Sequence, residues 1–525
     1  MEKSISLYKK ISSLDKSSRM GGNTMQYVVN SQEMKQFDKN TIEYYGVPSM
    51  VLMERAALAV FEEIKLNCPD KNKKMLIICG AGNNGGDGFA IARLLHLNGY
   101  FVEILFPMDE SKMTNETSKQ YEIVKRYGIS VHTHLVTFGY DVIVDALFGI
   151  GLCREIGGEL KAVIDAANQT DALRIAADIP SGISADTGEV LGVAFEADIT
   201  VTFGFAKIGQ LLCPGAQYCG RLIVADIGID NQSILEQTPQ GKYLVQTDIL
   251  ELLPSRKAYS NKGSYGKVLV IAGSKNMAGA AYLSAKAAYY SGCGLVRILT
   301  AKENREILLT RLPEAILTTY DTEQIDIQQI QECIHWADAV LIGPGIGTEE
   351  SAKILVKAVL EAKDMPVVFD ADALNILAKE PEYKKMLGEN HIITPHLGEM
   401  SRLIGKSIKE IQKNLIAAAR EFAKEHNTIC ILKDARTIIA LADGKWYINI
   451  SGNNGMATGG SGDVLAGLVT GFAVQSGKLG MTAAFACFVH GRAGDFAKIK
   501  KGAHSMLASD ILEQLPNVLN DKSKE

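Results

Sequence analysis

The sequence lacks the features that mark metal-binding, disulfide-bonded or membrane proteins. Its nine cysteines are scattered along 525 residues without a C-x-x-C spacing, and its nine histidines show no ligand spacing. Neither a disulfide framework nor a structural zinc site is therefore expected. The longest uncharged apolar stretches, such as Val464 to Val474, are shorter than the ~20 residues that a membrane helix needs. We expect reduced thiols, a cytoplasmic protein and no membrane partner.

The sequence also lacks a large excess of charge of either sign. The formal net charge is −5, with 47% hydrophobic and 22% charged residues, as in ordinary globular proteins. A nucleic-acid partner would call for a basic excess, so none is expected. The opening residues, 1–24, contain basic side chains but no continuous apolar segment of the kind found in signal peptides. We predict that they form a mobile extension.

The chain is too long for one hydrophobic core, which predicts more than one domain. From Met75 onward, apolar β-rich runs alternate with helical patterns, as in parallel, doubly wound sheets. A polar, turn-rich stretch interrupts the pattern, which then restarts with different glycine-rich loops. The predicted organisation is a first α/β domain at 25–230, a linker at 231–246, a second α/β domain at 247–516 and a polar tail at 517–525.

A G-x-G-x-x-G pattern, formed by Gly80, Gly82 and Gly85, follows the first apolar run. A dinucleotide fingerprint also needs an acidic residue about 20 positions on, at the end of the second strand. The acidic residue nearest to that position, Glu103, lies in the middle of the predicted second strand. The loop itself carries Asn83, Asn84 and Asp87, where a dehydrogenase would bring bare backbone to a pyrophosphate. An ordinary Rossmann dehydrogenase is the weaker interpretation.

Two further loops bring oxygen-bearing side chains to predicted strand ends. Asp145 ends the strand before "LFGIG", and Asp178 ends the strand before Pro180, Ser181 and Gly182. Each aspartate alone could be a turn or helix-capping residue. Ligands of open α/β sheets bind outside the carboxyl ends of the strands, so the loops together favour a site for a cation and a polar ligand.

The second half contains another glycine-rich loop, "NNGMATGGSGDVLAG", directly before an apolar helical pattern. Backbone N–H groups at such a helix start bind anions, and phosphate is the expected ligand. Asp463 follows the glycines, where it either favours the helix start or acts as the base of a small-molecule kinase. No Walker A spacing occurs around this loop, which argues against a P-loop fold.

The motifs "GNNGGDG", "DALFGIG" and "DIPSGISADTG", in this order, resemble the N-terminal epimerase domain of the NAD(P)H-hydrate repair enzymes over residues 28–229. The resemblance implies a Rossmann-like fold, proton transfer by Asp178, and a potassium ion held by Asn84, Asp145 and Ser181. It implies that the substrate-binding residues of this domain are Asn83, Asn84, Gly85, Gly86, Asp87, Gly149, Ile150, Gly151, Leu152, Cys153, Arg154, Glu155 and Asp178.

The order of "GPGIG", "TPHLGEM", "KDART" and "GGSGDVLAG" resembles the ribokinase-like fold and, more closely, the dehydratase domain of the same enzymes, over residues 247–516. The resemblance implies that the dehydratase substrate contacts Ala280, Gly345, Thr394, Pro395, His396, Leu397, Gly398, Glu399, Met400 and Asp463. It implies that the ADP-binding residues are Lys433, Asp434, Ala435, Arg436, Thr437, Asn453, Asn454, Gly455, Met456, Ala457, Thr458, Gly459, Gly460, Ser461 and Gly462.

The activity implied is repair of hydrated NADH and NADPH, known as NADHX and NADPHX. The R and S hydrates would be interconverted, and the S hydrate dehydrated after phosphorylation of its ring hydroxyl, with Asp463 acting on that hydroxyl. The resemblance implies ADP as phosphoryl donor, with ATP as the alternative, Mg²⁺ with Glu399 near it, and a homo-oligomer. Met277 and Asp434 stand where the family pattern has tyrosine and glycine.

Other interpretations remain open from the residues alone. A ribokinase-like kinase for a vitamin or sugar, with an accessory nucleotide-binding domain, would explain the second glycine loop but not the first. A non-catalytic sensor would bind a nucleotide without turnover. His396 could be a loop histidine with satisfied hydrogen bonds. Asp370 and Asp372, in "FDADAL", are equally well explained as turn residues and are left out of the predicted site.

Overall fold

The computed structural model describes residues 25–134, 139–362 and 365–520. The predicted mobile extension and residues 521–525 of the predicted tail lie outside the described residues. The chain divides into two compact units, the first ending at Pro239 and the second beginning at Gln240. The division falls within the predicted linker, and each unit is described by itself.

Parallel strands form the centre of the first unit, in the order β4-β3-β2-β5-β6-β7-β9. A short parallel pair, β1 with β8, lies apart from this order. The bounds are β1 Gln26–Val29, β2 Lys74–Cys79, β3 Phe101–Leu105, β4 Ser130–His132, β5 Val142–Ala146, β6 Leu173–Ala177, β7 Ile199–Phe203, β8 Ala206–Lys207 and β9 Arg221–Ala225.

Both faces of this sheet are covered, as the continuous apolar strands require. Along β2, Met75 and Ile77 belong to one core and Leu76 and Ile78 to the other, because successive side chains point to opposite faces. The predicted doubly wound sheet is confirmed. The helices are α1 Ser31–Lys39, α2 Ser49–Asn67, α3 Asn83–Leu97, α4 Asn115–Arg126, α5 Gly158–Asn168, α6 Ile208–Leu211 and α7 Gly215–Tyr218.

The second unit also contains a mainly parallel sheet, with the strand order β13-β12-β11-β14-β15-β16-β17-β18-β19-β10. The strands are parallel from β13 to β17, while β18 is antiparallel to both of its neighbours. The bounds are β10 Gly241–Tyr243, β11 Lys267–Ile271, β12 Leu295–Ala301, β13 Ile316–Tyr320, β14 Ala339–Ile342, β15 Val367–Phe369, β16 His391–Ile393, β17 Ile429–Leu432, β18 Thr437–Ala440 and β19 Trp446–Asn449.

Helices surround this sheet, and one of them, α18, is almost entirely buried. Small residues let α18 approach α9 closely: a Cβ added at Gly467 would lie 2.2 Å from the carbonyl oxygen of Ser284. The helices are α8 Ile249–Leu252, α9 Ala278–Tyr290, α10 Arg305–Arg311, α11 Ile327–Trp336, α12 Glu350–Leu360, α13 Asp372–Lys379, α14 Pro381–Lys384, α15 Leu397–Ile404, α16 Ile408–Lys413, α17 Leu415–Glu425, α18 Ser461–Ala473, α19 Leu479–Lys501 and α20 Ala508–Leu519.

Within the described ranges, no helix combines the length and apolar character needed to cross a membrane. In each unit, the motif-bearing loops follow the carboxyl ends of parallel strands, which is where open α/β sheets bind ligands.

Candidate functional site

The first glycine loop turns directly from β2 into α3, and its tightness explains its composition. A Cβ added at Gly85 would lie 1.7 Å from the carbonyl oxygen of Gly80, so no other residue fits there without moving the backbone. Asn83, the first helical residue, is exposed and accepts a hydrogen bond from Thr114 Oγ1 at 2.6 Å. The loop therefore presents a bare helix start to a ligand, flanked by polar side chains.

Asp145 and Ser181 meet at the carboxyl edge of the sheet. The Asp145 carboxylate accepts hydrogen bonds from Ser181 N at 2.7 Å and Ser181 Oγ at 2.6 Å, and also from Leu147 N at 3.1 Å. Both residues are buried, and neither directly precedes a helix. The helix N-cap interpretation of Asp145 is therefore wrong. The two predicted strand-end loops form one constellation.

Asn84 joins this constellation through the next loop. Its side chain lies against Gly149, while the preceding residue, Phe148, donates its N–H to Ser181 Oγ at 2.9 Å. The Oδ1 and Nδ2 atoms of Asn84 are buried and have no hydrogen-bond partner among the described residues. A buried amide without a partner is costly, which makes it a candidate ligand for a bound group.

The charge of Asp145 points the same way. Burial raises the pKa of its carboxyl to about 6, although the hydrogen bonds from Ser181 and Leu147 oppose the rise. A cation held by Asp145, Ser181 and Asn84 would see only oxygen ligands, as hard cations prefer. Among the described residues, no group of three or more His, Cys, Asp or Glu side chains could hold a metal ion. Such a site would combine a single carboxylate with amide and hydroxyl oxygens.

Asp178 follows β6 in a left-handed backbone conformation, with φ of 65°, which is rare for a residue other than glycine. Gln210 Nε2 donates to its carbonyl oxygen at 2.6 Å, and Lys207 Nζ donates to Oδ1 at 2.5 Å. Sequence reasoning missed Lys207. The available signal was a lone lysine inside the apolar run "FGFAKIGQL", a position where an unpaired charge is costly.

Two more carboxyls face Asp178. Burial raises the pKa of Asp87 well above its ordinary value, and the nearby charges of Asp178 and Asp38 raise it further. Burial and Asp178 likewise raise the pKa of Asp38, in α1, which sequence reasoning also missed. The first unit thus places two further carboxyls near Asp178, whose own carboxylate is paired with the Lys207 ammonium.

The remaining predicted loop of the first unit, Gly149 to Glu155, follows β5. Only its start is packed into the constellation, through the contact of Gly149 with Asn84. Cys153, Arg154 and Glu155 are exposed. These side chains are available to a ligand and are not part of the folded core.

In the second unit, the glycine-rich loop leads into α18 through Gly460, whose φ is 88°. Asp463 is the third residue of this helix and is partly buried. At the beginning of the loop, Gly452 N donates to Asp495 at 3.3 Å and Asn453 Nδ2 donates to it at 3.1 Å. Asp495 therefore anchors the loop. The start of α18 therefore offers free backbone N–H groups and carries the carboxyl of Asp463 in its first turn.

A buried ion pair lies beside this helix start. Lys433 Nζ donates to Asp370 Oδ1 at 2.9 Å, and Thr394 Oγ1 donates to the same atom at 2.6 Å. A Cβ added at Gly462 would lie 3.4 Å from Lys433 Nζ and 4.0 Å from Asp370 Oδ2. Asp370, which is left out of the predicted site, therefore lies beside this helix start. Asp372 instead accepts from Gly347 N at 2.9 Å and orders the "GPGIG" loop.

These charges shift one another. Burial and Asp370 raise the pKa of Asp463 to about 6, against the opposing effect of Lys433. Burial raises the pKa of Glu399 to about 7, again against Lys433. Burial lowers the pKa of Lys433, but Asp370 and Glu399 outweigh this effect, so it lies above its ordinary value. A carboxyl with a pKa near 6 is suited to accept a proton near neutral pH.

His396 has a structural role as the N-cap of α15. Its Nδ1 accepts from Gly398 N at 2.9 Å and from Glu399 N at 3.3 Å. Nδ1 is therefore unprotonated, and burial together with Lys433 and Arg402 lowers the pKa of the ring. In return, Glu399 Oε2 accepts from His396 N at 2.8 Å, which completes a capping box.

Five further predicted residues of the second unit lie in two places. Ala280 and Gly345 are neighbours: a Cβ added at Gly345 would lie 3.1 Å from the Cβ of Ala280 and 3.1 Å from that of Met277. Asp434 and Ala435 are exposed in the turn between β17 and β18, and Arg436 donates to the carbonyl oxygen of Ile450. The first group lies beside α9, and the second follows Lys433 away from the ion pair.

Comparisons with known proteins match both units. The family model described as YjeF-related protein N-terminus matches residues 49–209, and the NAD(P)H-hydrate dehydratase model matches residues 268–517. The bifunctional NAD(P)H-hydrate repair enzyme of Moorella thermoacetica is 38% identical, covering 95% of this chain and 98% of its own. That of Escherichia coli is 33% identical and covers 93% of each chain.

A solved structure of an ADP/ATP-dependent NAD(P)H-hydrate dehydratase from Bacillus subtilis is 30% identical, with a TM-score of 0.47, and covers 53% of this chain and 98% of its own. Fold and sites together define an enzyme with two α/β catalytic units on one chain. The chain belongs to the family of bifunctional NAD(P)H-hydrate repair enzymes. It epimerises the R and S hydrates of NADH and NADPH and dehydrates the S hydrate in a nucleotide-dependent reaction. The kinase and sensor interpretations are thereby set aside.

Proposed function

We propose that Asp463 is the base of the dehydratase reaction. The observation that carries this role is its place in the first turn of α18, beside the Lys433–Asp370 pair, with a pKa of about 6. Asp463 takes the proton of the ring hydroxyl, whose oxygen then attacks the terminal phosphorus of the nucleotide. The bond from that phosphorus to the bridging oxygen breaks, and the shortened nucleotide leaves.

Phosphorylation solves a leaving-group problem. Hydroxide leaves carbon poorly, whereas phosphate leaves readily. Loss of phosphate from the ring carbon, with loss of a proton from the neighbouring carbon, restores the double bond of the reduced nicotinamide. The predicted substrate residues, with Ala280, Gly345 and the Thr394 to Met400 loop, would hold the ring near Asp463. The contact between Ala280 and Gly345 supports this assignment.

The nucleotide would lie on the glycine-rich loop, from Asn453 to Gly462, with Lys433 to Thr437 beside it. The N–H groups at the start of α18 suit its phosphates. We propose ADP as the donor and ATP as the alternative; the Bacillus subtilis relative is described as ADP/ATP-dependent and was co-crystallised with ATP and Mg²⁺. Glu399, a buried carboxyl near the ion pair, is a fitting oxygen ligand for Mg²⁺, which when bound neutralises charge on the transferring phosphoryl group.

In the first unit, we propose that Asp178 transfers the proton during epimerisation and that Asn83 to Asp87 and Gly149 to Glu155 bind the substrate. Asn84, Asp145 and Ser181 would hold a potassium ion. The support is the buried amide of Asn84, which has no hydrogen-bond partner in the described part of the chain, near a buried carboxylate and a hydroxyl. Bound K⁺ would fix the two loops on either side of the substrate.

Three broader assignments are also proposals. The catalytic domains would span 25–230 and 247–516, and the protein would be a cytoplasmic homo-oligomer. Cys79, Cys293, Cys333, Cys430 and Cys487 are buried free thiols, as in a reducing compartment.

One experiment tests donor and residue roles together. The protein is mixed with both epimers of NADH hydrate, Mg²⁺ and K⁺, then with ADP or ATP, and the return of reduced-nicotinamide absorbance is followed. Full recovery with ADP, exceeding that with ATP in rate, is expected. Full recovery with ATP alone would overturn the choice of donor. Unchanged recovery by Asp463→Asn would overturn its role as base.

A further inference from the structure

Lys207 is the unusual residue of the first unit. Its side chain lies within the fold, at 0% exposure, although lysine is almost never fully buried unless it is paired. Burial lowers the pKa of its ammonium, and the neighbouring Asp178 opposes that effect. An unpaired buried ammonium would destabilise the fold, and the partner of Lys207 is Asp178, a predicted site residue.

The ammonium uses all three of its donors. Nζ donates to Asp178 Oδ1 at 2.5 Å, to Thr202 Oγ1 at 2.8 Å and to the carbonyl oxygen of Phe203 at 3.0 Å. Its position is therefore fixed from three sides. The lysine cannot rotate toward a ligand without breaking a buried hydrogen bond.

The same contacts fix one half of the Asp178 carboxylate. Besides Lys207 Nζ, Oδ1 accepts from Thr202 Oγ1 at 3.2 Å and from Phe203 N at 3.2 Å. None of these donors goes to Oδ2. With its carbonyl oxygen held by Gln210, Asp178 has a fixed backbone, a saturated Oδ1 and an Oδ2 that is left for other partners.

The charges around Asp178 give its pairing with Lys207 a special importance. Among the described residues, the titratable groups whose charges act on Asp178 are Asp87 from α3, Asp38 from α1 and Lys207 at the end of β8. Of these, only Lys207 is cationic, and its ammonium hydrogen-bonds to Asp178. All three donors of the ammonium are used, and of the three carboxyls only Asp178 receives one of them.

We propose that Lys207 is a positioning residue for epimerisation: its ammonium holds Oδ1 of Asp178 and thereby directs Oδ2 toward the substrate as the proton acceptor. This inference rests on the proposed role of Asp178 in the first unit. Lys207 does not itself touch the substrate. Its effect passes entirely through the carboxylate.

The test is the pH profile of Lys207→Met. R-enriched NADH hydrate is supplied without nucleotide, so that the dehydratase is silent, and the two epimers are separated by chromatography. Without the ammonium, a proton binds Asp178 at higher pH, so the base form is lost earlier as pH falls. The acid-side midpoint of kcat/KM should rise by about 1–3 pH units. Activity should recover as pH increases.

A merely structural lysine would behave differently. Its loss would lower epimerisation at every pH and leave the midpoint where it was, and that result would overturn the proposal. Lys161→Met is the matched control, because Lys161 pairs with Asp165 on the exposed surface of α5. Its profile should equal that of the unmodified protein.

A milder variant guards against loss of folding. Thr202→Val is nearly isosteric and removes the hydroxyl between Lys207 and Asp178. It should move the midpoint in the same direction by a smaller amount. If thermal unfolding shows that Lys207→Met is unfolded, Thr202→Val decides: an unmoved midpoint rejects the proposal.

The variant Asp178→Asn distinguishes failure of the role of Lys207 from failure of the proposed role of Asp178. Full epimerisation by Asp178→Asn would reject the role of Asp178 and the inference with it. Loss of epimerisation in Asp178→Asn, with unmoved profiles in Lys207→Met and Thr202→Val, would reject only the role of Lys207.

Discussion

Lys433 Nζ donates a hydrogen bond to Asp370 Oδ1 at 2.9 Å, beside the helix start that carries Asp463. The lysine thus pairs with one of the carboxyls at the site where a phosphoryl group would be transferred. Asp463 keeps a raised pKa because Asp370 and burial outweigh the lysine. The second unit therefore places a carboxyl with a raised pKa, Asp463, beside a buried ion pair.

Replacing Asp463 with Asn should abolish the dehydratase reaction while leaving the nucleotide bound. General-base catalysis contributes about 10²–10⁴-fold, so a loss of this size is expected, because the amide cannot accept the hydroxyl proton. Initial rates of absorbance recovery measure the loss, and equilibrium dialysis measures nucleotide binding. Epimerisation without nucleotide is the internal control and should not change.

Dehydratase turnover should depend on pH through the same residue. The folded pKa of Asp463 is about 6, so its base form is lost as pH falls through that value. The acid limb of kcat should have its midpoint near pH 6. Lys433→Met removes the charge that opposes the shift, so its midpoint should lie higher. A midpoint that ignores Lys433 would argue that another group controls the limb.

The Lys433–Asp370 pair should also matter for stability. Asp370 is almost fully buried, so Lys433→Met leaves an uncompensated buried charge and should cost about 3–5 kcal/mol in the free energy of unfolding. The double variant Lys433→Met with Asp370→Asn should recover part of that loss. Denaturant unfolding provides the measurement. Lys445→Met, which breaks the exposed pair with Asp443, should change stability by less than about 1 kcal/mol.

The loops of both candidate sites could be predicted from the sequence, because each loop has a local sequence pattern. Alternating strands and helices predict a parallel sheet, and a parallel sheet brings the loops after its strands to one edge. Asp145 and Ser181, far apart in sequence, could therefore be expected to meet. The tight turn at Gly85 and the phosphate-binding loop before Asp463 also have local signatures.

Pairings between distant side chains were not readable. Asp370 looks like any strand-end turn residue, and its contact with Lys433, 63 positions later, cannot be seen in the sequence. Lys207 lies 29 positions after Asp178, on a strand of two residues that has no motif of its own. A lone charge in an apolar run is a signal for such pairs, but it does not name the partner.

The glycines of the first loop should differ in their tolerance of substitution. Gly85→Ala places a Cβ about 1.7 Å from the Gly80 carbonyl oxygen, so the backbone must move, at a cost of at least about 2 kcal/mol. Gly82 has ordinary φ of −81° and nothing within 4 Å of an added Cβ, so Gly82→Ala is the matched control and should be nearly neutral. Equal thermal stabilities would contradict the tight turn.

The cation proposal has its own test in Asp145→Ala. Removing this carboxylate takes the only full negative charge from the Asn84, Asp145 and Ser181 set, so K⁺ should bind more weakly and epimerisation should lose its response to K⁺. Titration of epimerisation with KCl at constant ionic strength, with choline as the replacement cation, measures the response. Asp165→Ala, on the exposed face of α5, is the control.

The dehydratase reaction separates a lost cation from a lost fold, because it belongs to the other unit and should be unchanged in Asp145→Ala. A variant that retains its thermal unfolding transition yet responds to K⁺ as before would exclude Asp145 as a ligand. If the response is lost instead, Asn84→Ala should reproduce it, since its buried amide has no other hydrogen-bond partner among the described residues. Agreement between the two variants would tie the orphaned amide and the buried carboxylate to one ion.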